Sequence, residues 1–156
     1  MKVIFLDVDG VISIPKTGWC VPSEQWHDEF GYPTDKDCIA RLNKIIEATG
    51  AEIVFSSSWR LQYKSKEGKE KLFNHWGVIK APIDHTILLG NGLSCRGDEI
   101  QRWLDQCDTT IESFVILDDD SDMLEDQKPF FINTDGIDGL TDADVERAIV
   151  ILNPSP

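Results

Sequence analysis

The sequence has no long apolar run. No stretch approaches the roughly 18 to 20 continuous apolar residues that a membrane helix needs, and the opening MKVIFLDVDG meets acidic residues too early for a signal peptide. A cytoplasmic protein with no membrane partner is therefore expected. Histidine is scarce: His27, His75 and His85 have no partners at ligand spacing and read as surface or packing residues. The four cysteines, Cys20, Cys38, Cys95 and Cys107, lack the close pairs of a zinc site. With no export signal a disulfide framework is not expected either, so all four read as reduced thiols, mostly buried. Basic charge is also short, with 15 Lys and Arg against 28 Asp and Glu, a net of −13. Such a charge opposes a polyanion at long range unless metal ions or local bases offset it, which disfavours generic nucleic-acid coating. Repeats and low-complexity linkers are absent.

What is present is enough for one compact domain over residues 1–156, expected to act as a monomer: 156 residues, 41% of them hydrophobic. Short strands alternate with amphipathic helices, the pattern of an α/β fold with a mostly parallel five-stranded sheet. KVIFL (2–6) is apolar and rich in β-formers, as a strand covered on both faces requires. EIVF (52–55), GVI (77–79), SFVIL (113–117) and PFFIN (129–133) are the other expected strands. Ile39, Leu42, Ile45 and Ile46 predict a helix over 35–49 that stops at Gly50. Ile100, Trp103 and Leu104 predict one over 97–106, and Val145, Ala148, Ile149 and Leu152 another, opened by Thr141 with Asp144 as a capping box.

In parallel sheets ligands bind beyond the carboxyl ends of the strands. Those positions hold Asp7 and Asp9 after the first strand, Ser56, Ser57 and Ser58 after the second, and Asp118, Asp119, Asp120 and Asp122 after the fourth. If the first and fourth strands are neighbours, at least four carboxylates converge. Two unit charges about 4 Å apart repel by about 4 kcal/mol at an effective dielectric near 20, and a shared cation removes that cost. Oxygen ligands without histidine or cysteine favour a hard ion, Mg²⁺ before Ca²⁺ or Mn²⁺.

FLDVDGV, IVFSSSWR, RGDEIQRWL and FVILDDDSD resemble, in order, the four motifs of the haloacid dehalogenase (HAD) superfamily of phosphotransferases, and together they span residues 5–122. SSSWR, RGDEI, VILDDDSDM and the later TDGIDGLT more narrowly resemble the small HAD domains of RNA-repair proteins, distant relatives of the phosphatase half of polynucleotide kinase-phosphatase. The resemblance implies a Rossmann-like three-layer sandwich and a phosphatase working through an aspartyl phosphate. It implies Asp7 as nucleophile and Asp9 as general acid and base. Gly10 would turn the chain beside the site. Mg²⁺ would be held by Asp7, the Asp9 carbonyl, and Asp118 or Asp119. Ser56 and Arg96 would bind phosphoryl oxygens, and Asp122 matches the second acidic position of the fourth motif.

The third motif usually carries lysine, but arginine keeps the charge and adds a planar fork. The serine run leaves two registers: a strand ending at Phe55 selects Ser56, the preferred choice, while one more strand residue selects Ser57. Arg60 with Lys64, Lys66, Lys69 and Lys71 reads as a solvated helix face or as a patch gripping extra phosphates of a larger substrate. Trp19, Trp26 and Trp59 are mainly core residues that lie close enough to the mouth to stack on a base or sugar. Residues 12–34 follow the first strand as a loop or minimal cap insert, which leaves the site open to a bulky substrate such as an RNA or DNA end. The alternatives are a small-metabolite phosphatase and a non-catalytic module binding phosphate or a partner. A signalling receiver is disfavoured because too few residues follow Asp122.

Overall fold

The computed structural model describes residues 1–25, 30–31, 33–90 and 95–154. Trp26, His27 and part of the 12–34 insert lie outside them. Five strands, β1 (Lys2–Leu6), β2 (Glu52–Phe55), β3 (Asp84–His85), β4 (Ser113–Asp118) and β5 (Phe131–Asn133), form one sheet in the order β3-β2-β1-β4-β5. Every pairing is parallel.

The strand side chains alternate between two cores, as the period of two demands. Ile4, Leu6, Ile53, Phe55, Val115 and Leu117 face one side, where they pack against three helices. These are α1 (Lys36–Thr49) with Leu42, Ile45 and Ile46, α2 (Lys66–Trp76) with Leu72, Phe73 and Trp76, and α4 (Asp142–Leu152) with Val145, Ala148 and Leu152. Val3, Phe5, Val54 and Ile116 face the other side, against Ile100, Trp103 and Leu104 of α3 (Arg96–Gln106). Phe5 is wholly buried and meets Trp103 and Phe114 edge-on, with ring centroids 5.4 and 5.9 Å apart. The result is a three-layer Rossmann-like α/β sandwich. No helix among the described residues is long and apolar enough to cross a membrane.

The helix boundaries follow local chemistry. Asp35 caps α1 by accepting from the amides of Asp37 and Cys38, and Gly50 closes it. In α4, Thr141 and Asp144 each accept the other's backbone amide, at 3.3 and 3.0 Å. Two expected strands are corrected. Residues 77–79 are no strand: Gly77 closes α2, and the amide of Val78 bonds the carbonyl of Phe73. The strand pairing with β2 comes later, at Asp84–His85. The fifth strand starts at Phe131, not Pro129, because Glu125–Phe130 form a 3-10 helix containing that proline. Proline has no N–H to give a ladder.

Candidate active site

The strand order reverses between β1 and β4, which opens a crevice at their carboxyl ends. Asp7 and Asp118 sit side by side there, with the Asp7 amide bonded to the Leu117 carbonyl at 3.0 Å. After Asp7 the chain winds tightly: the amides of Val11, Ile12 and Ser13 all bond the Val8 carbonyl, at 3.2, 2.9 and 2.9 Å. Val8, Val11 and Ile12 are fully buried and anchor this turn in the core. Gly10 has a φ of +74°, and a Cβ there would stand 2.3 Å from Oδ2 of Asp119. Only glycine suits this position, by backbone angle and by space.

Asp7, Asp118 and Asp119 each offer a carboxylate oxygen, and these lie within 4.8 Å of one another. The Arg96 guanidinium bridges two of them, with Nη1 3.6 Å from Asp7 Oδ1 and Nε 3.6 Å from Asp118 Oδ2. Burial pushes the Asp7 carboxyl up to about 6, Arg96 and the Ser57 hydroxyl pulling the other way. Burial and then the neighbouring Asp7 push Asp118 up to about 8. Asp119 is also raised, mainly by burial. These carboxyls are thus disposed to hold protons that a cation would displace. Oδ2 of Asp118 is buried and makes no hydrogen bond, and neither does Nη1 of Arg96. An unpartnered buried carboxylate oxygen in an all-oxygen acidic trio fits a hard divalent cation.

The other expected residues distribute around this trio. Asp9 is not among the three clustered carboxylates; its Oδ2 accepts the Trp59 indole N–H at 3.3 Å. Trp59 is 8% exposed, stacks on Tyr63 and meets Trp76 edge-on, so it serves the core and the site together. β2 ends at Phe55, the strand end that selects Ser56, and Ser57 after it is also wholly buried, its hydroxyl lowering the pKa of the Asp7 carboxyl. Ser56 is wholly buried and its Oγ has no hydrogen-bond partner.

Arg60 is also corrected. It is 3% exposed, pairs with Glu99 at 2.7 Å and bonds the Ser56 carbonyl, so it does not face solvent as a substrate-gripping base. Lys69 is buried too, its Nζ 3.2 Å from Nδ1 of His85. Lys66 and Lys71 pair along α2 with Glu70 and Glu67. The basic run is therefore partly core and partly solvated helix face.

Asp122 has a different task from the one its spacing suggested. Its carboxylate accepts the Arg96 amide at 2.9 Å and its carbonyl the Gly97 amide at 3.2 Å, which caps the first turn of α3. Gly97 makes the approach possible, since a Cβ there would meet the Leu124 amide nitrogen at 2.5 Å. Gln127, fully buried, completes the joint by donating to the Gly97 carbonyl at 2.9 Å. Arg96 is thereby locked to the loop that follows Asp118 and Asp119.

Sequence reading missed three supports. The Thr134 hydroxyl donates to the Gly10 carbonyl at 2.8 Å and its amide to the Asp118 carbonyl at 3.0 Å, tying the first-motif turn to β4. Asn133 donates to the carbonyl of Asp119 at 2.8 Å. Glu99 faces Arg60. The signal for Asn133 and Thr134 was available, because they directly follow the apolar part of a strand. Glu99 carried none.

No curated protein and no solved structure matches the chain. The family model described as the HAD domain in Swiss Army Knife RNA repair proteins matches residues 3–145. The match takes in both acidic strand ends, the serine run and Arg96, and supports an HAD-type phosphatase in general. With the five-stranded parallel sheet and the acidic crevice beside it, the chain belongs to this family of HAD domains.

Proposed function

We propose that this domain is a Mg²⁺-dependent phosphatase that hydrolyses a phosphate monoester through an aspartyl phosphate on Asp7. The observation that carries the reading is the meeting of Asp7, Asp118 and Asp119 within 4.8 Å under the Arg96 guanidinium. Bound Mg²⁺, held by Asp7, Asp118, Asp119 and the Asp9 carbonyl, would offset the repulsion between carboxylate and phosphoryl oxygens. The Asp7 carboxylate attacks phosphorus, and the bond to the ester oxygen breaks. Asp9, held by the Trp59 indole N–H, gives that oxygen its proton and then takes one from the water that hydrolyses the acyl phosphate. Arg96 and the Ser57 hydroxyl stabilise phosphoryl oxygens while fixing the position of Asp7.

The favoured substrate is a terminal phosphate of RNA or DNA. The family's association with RNA repair supports it. The experiment is hydrolysis of an aryl phosphate by the wild-type protein and Asp7→Asn, with and without Mg²⁺. Turnover confined to wild type with Mg²⁺ is expected, and equal rates in the two proteins remove Asp7 from the mechanism. Side-by-side assays of 5′- and 3′-phosphorylated oligonucleotides, nucleotides and sugar phosphates then identify the substrate class.

A further inference from the structure

We propose that the buried Arg60–Glu99 ion pair is a positioning device, holding the turn that carries Ser57 and the helix that carries Arg96 at the spacing needed to grip one phosphoryl group. The inference rests on the phosphoryl-transfer reading above and adds to it a pair that touches no reacting atom.

Ser57 and Arg96 come from distant parts of the chain. Ser57 precedes the 3-10 turn Ser58–Leu61 at the end of β2, and Arg96 opens α3, which follows β3 in the chain. Arg60 lies within that turn, and its amide bonds the Ser57 carbonyl at 3.0 Å. Its guanidinium donates to the Ser56 carbonyl through Nη1 and to Oε2 of Glu99 through Nη2, the latter at 2.7 Å. Glu99 is in the first turn of α3, three residues after Arg96. One planar fork therefore ties the backbone that sets Ser57 to the helix turn that sets Arg96. The Arg60 and Glu99 side chains are 3% and 8% exposed, so solvent neither screens the pair nor replaces it.

Stability alone does not account for such a pair. Two desolvated charges gain little over well-packed apolar side chains of the same volume, and replacing them together is often neutral or stabilising. Burial presses the Arg60 guanidinium below its ordinary pKa, with Glu99 acting against that. Nε of Arg60 is buried without a hydrogen-bond partner, so the side chain is not optimised for its own satisfaction. What the pair supplies that apolar residues cannot is direction: a bidentate donor fixes two acceptors at set angles. Misplacing a reacting group by about 1 Å can cost about 100-fold in rate.

The test separates stability from function with the paired replacement Arg60→Met and Glu99→Leu in the full chain. Melting temperature, kcat and KM on an aryl phosphate, and binding of inorganic phosphate in Mg²⁺ by calorimetry are measured. The expected result is a melting temperature near wild type with kcat down about 30- to 100-fold and KM changed less than about threefold. A folded variant with wild-type kcat and wild-type phosphate binding overturns the proposal. Should the paired variant not fold, Glu99→Gln keeps the shape and removes one charge; a loss of about tenfold in kcat at unchanged KM is expected, and no loss overturns the inference. If the wild-type protein hydrolyses nothing, it is the phosphatase reading that fails. Phosphate binding then decides the positioning role alone, and an equal Kd in the folded variant rejects it.

Discussion

Nε of Arg96 stands 3.6 Å from Oδ2 of Asp118, a buried oxygen that accepts no hydrogen bond. A guanidinium at that distance neutralises charge without saturating the carboxylate, which leaves a lone pair directed at the same crevice as Asp7 and Asp119.

This predicts a pH-dependent response to Mg²⁺. A carboxyl whose folded pKa is raised stabilises the metal-free fold while protonated. That contribution is complete below the ordinary value of 3.8 and is lost as pH rises through about 6 for Asp7 and about 8 for Asp118. Mg²⁺ competes with those protons, so its stabilising effect grows over the same window. Thermal melts with and without millimolar Mg²⁺ should show a larger increment at pH 8.5 than at pH 5.5. An increment independent of pH would place the cation elsewhere.

Trp59→Phe keeps an aromatic ring against Tyr63 and Trp76 but removes the N–H that holds Asp9. If Asp9 protonates the leaving group as proposed, the cost depends on the leaving group. Turnover of an alkyl phosphate is expected to fall about tenfold, and that of a nitrophenyl phosphate by less than about threefold. Equal losses on both substrates would mean that the indole supports packing alone.

Gly97→Ala should damage stability and activity together. The added methyl meets the Leu124 amide nitrogen at 2.5 Å, a backbone atom that cannot rotate away. Overpacking of this kind costs about 1 to 3 kcal/mol, and relief by shifting α3 moves Arg96, the adjacent residue. Urea denaturation and steady-state kinetics on the variant check both, and wild-type kcat would show that the Asp122 cap holds Arg96 regardless.

The cysteines should divide by reactivity. Cys20 is exposed, whereas Cys38 is 1% exposed and burial pushes its thiol up to about 11. Its raised pKa stabilises the fold below the ordinary 9.0, and this contribution is lost as pH climbs through about 11. Alkylation at pH 8 followed by peptide mapping should label Cys20 quickly and Cys38 only in guanidinium. Native labelling of Cys38 at the rate of Cys20 would contradict its burial among α1 and the 138–140 loop.

Much of the fold was legible because its signals are local. KVIFL followed by DVDG is an apolar strand that ends on charge, and Asp35 to Gly50 carries both caps of α1 within its own span. Thr141 with Asp144 opened α4 in the same way. The third strand was misplaced because its two residues have no pattern of their own; pairing with Val54 and Phe55 defines it. Val78 looked like a strand residue because it is apolar, but its side chain joins the core while its amide bonds the Phe73 carbonyl at the end of α2.

The sequence by itself determined which residue types stand at the strand ends, and hence the chemistry: acids after β1 and β4, hydroxyls after β2, a base at the start of α3. Only the tertiary structure decided which of them meet. Asp7 meets Asp118 and Asp119, Asp122 caps a helix, and Arg60 turns inward to Glu99, 39 residues further along the chain. The physical reason is that spacing along a strand sets the order of side chains, while their partners depend on how closely separate elements pack and which charges that packing removes from water.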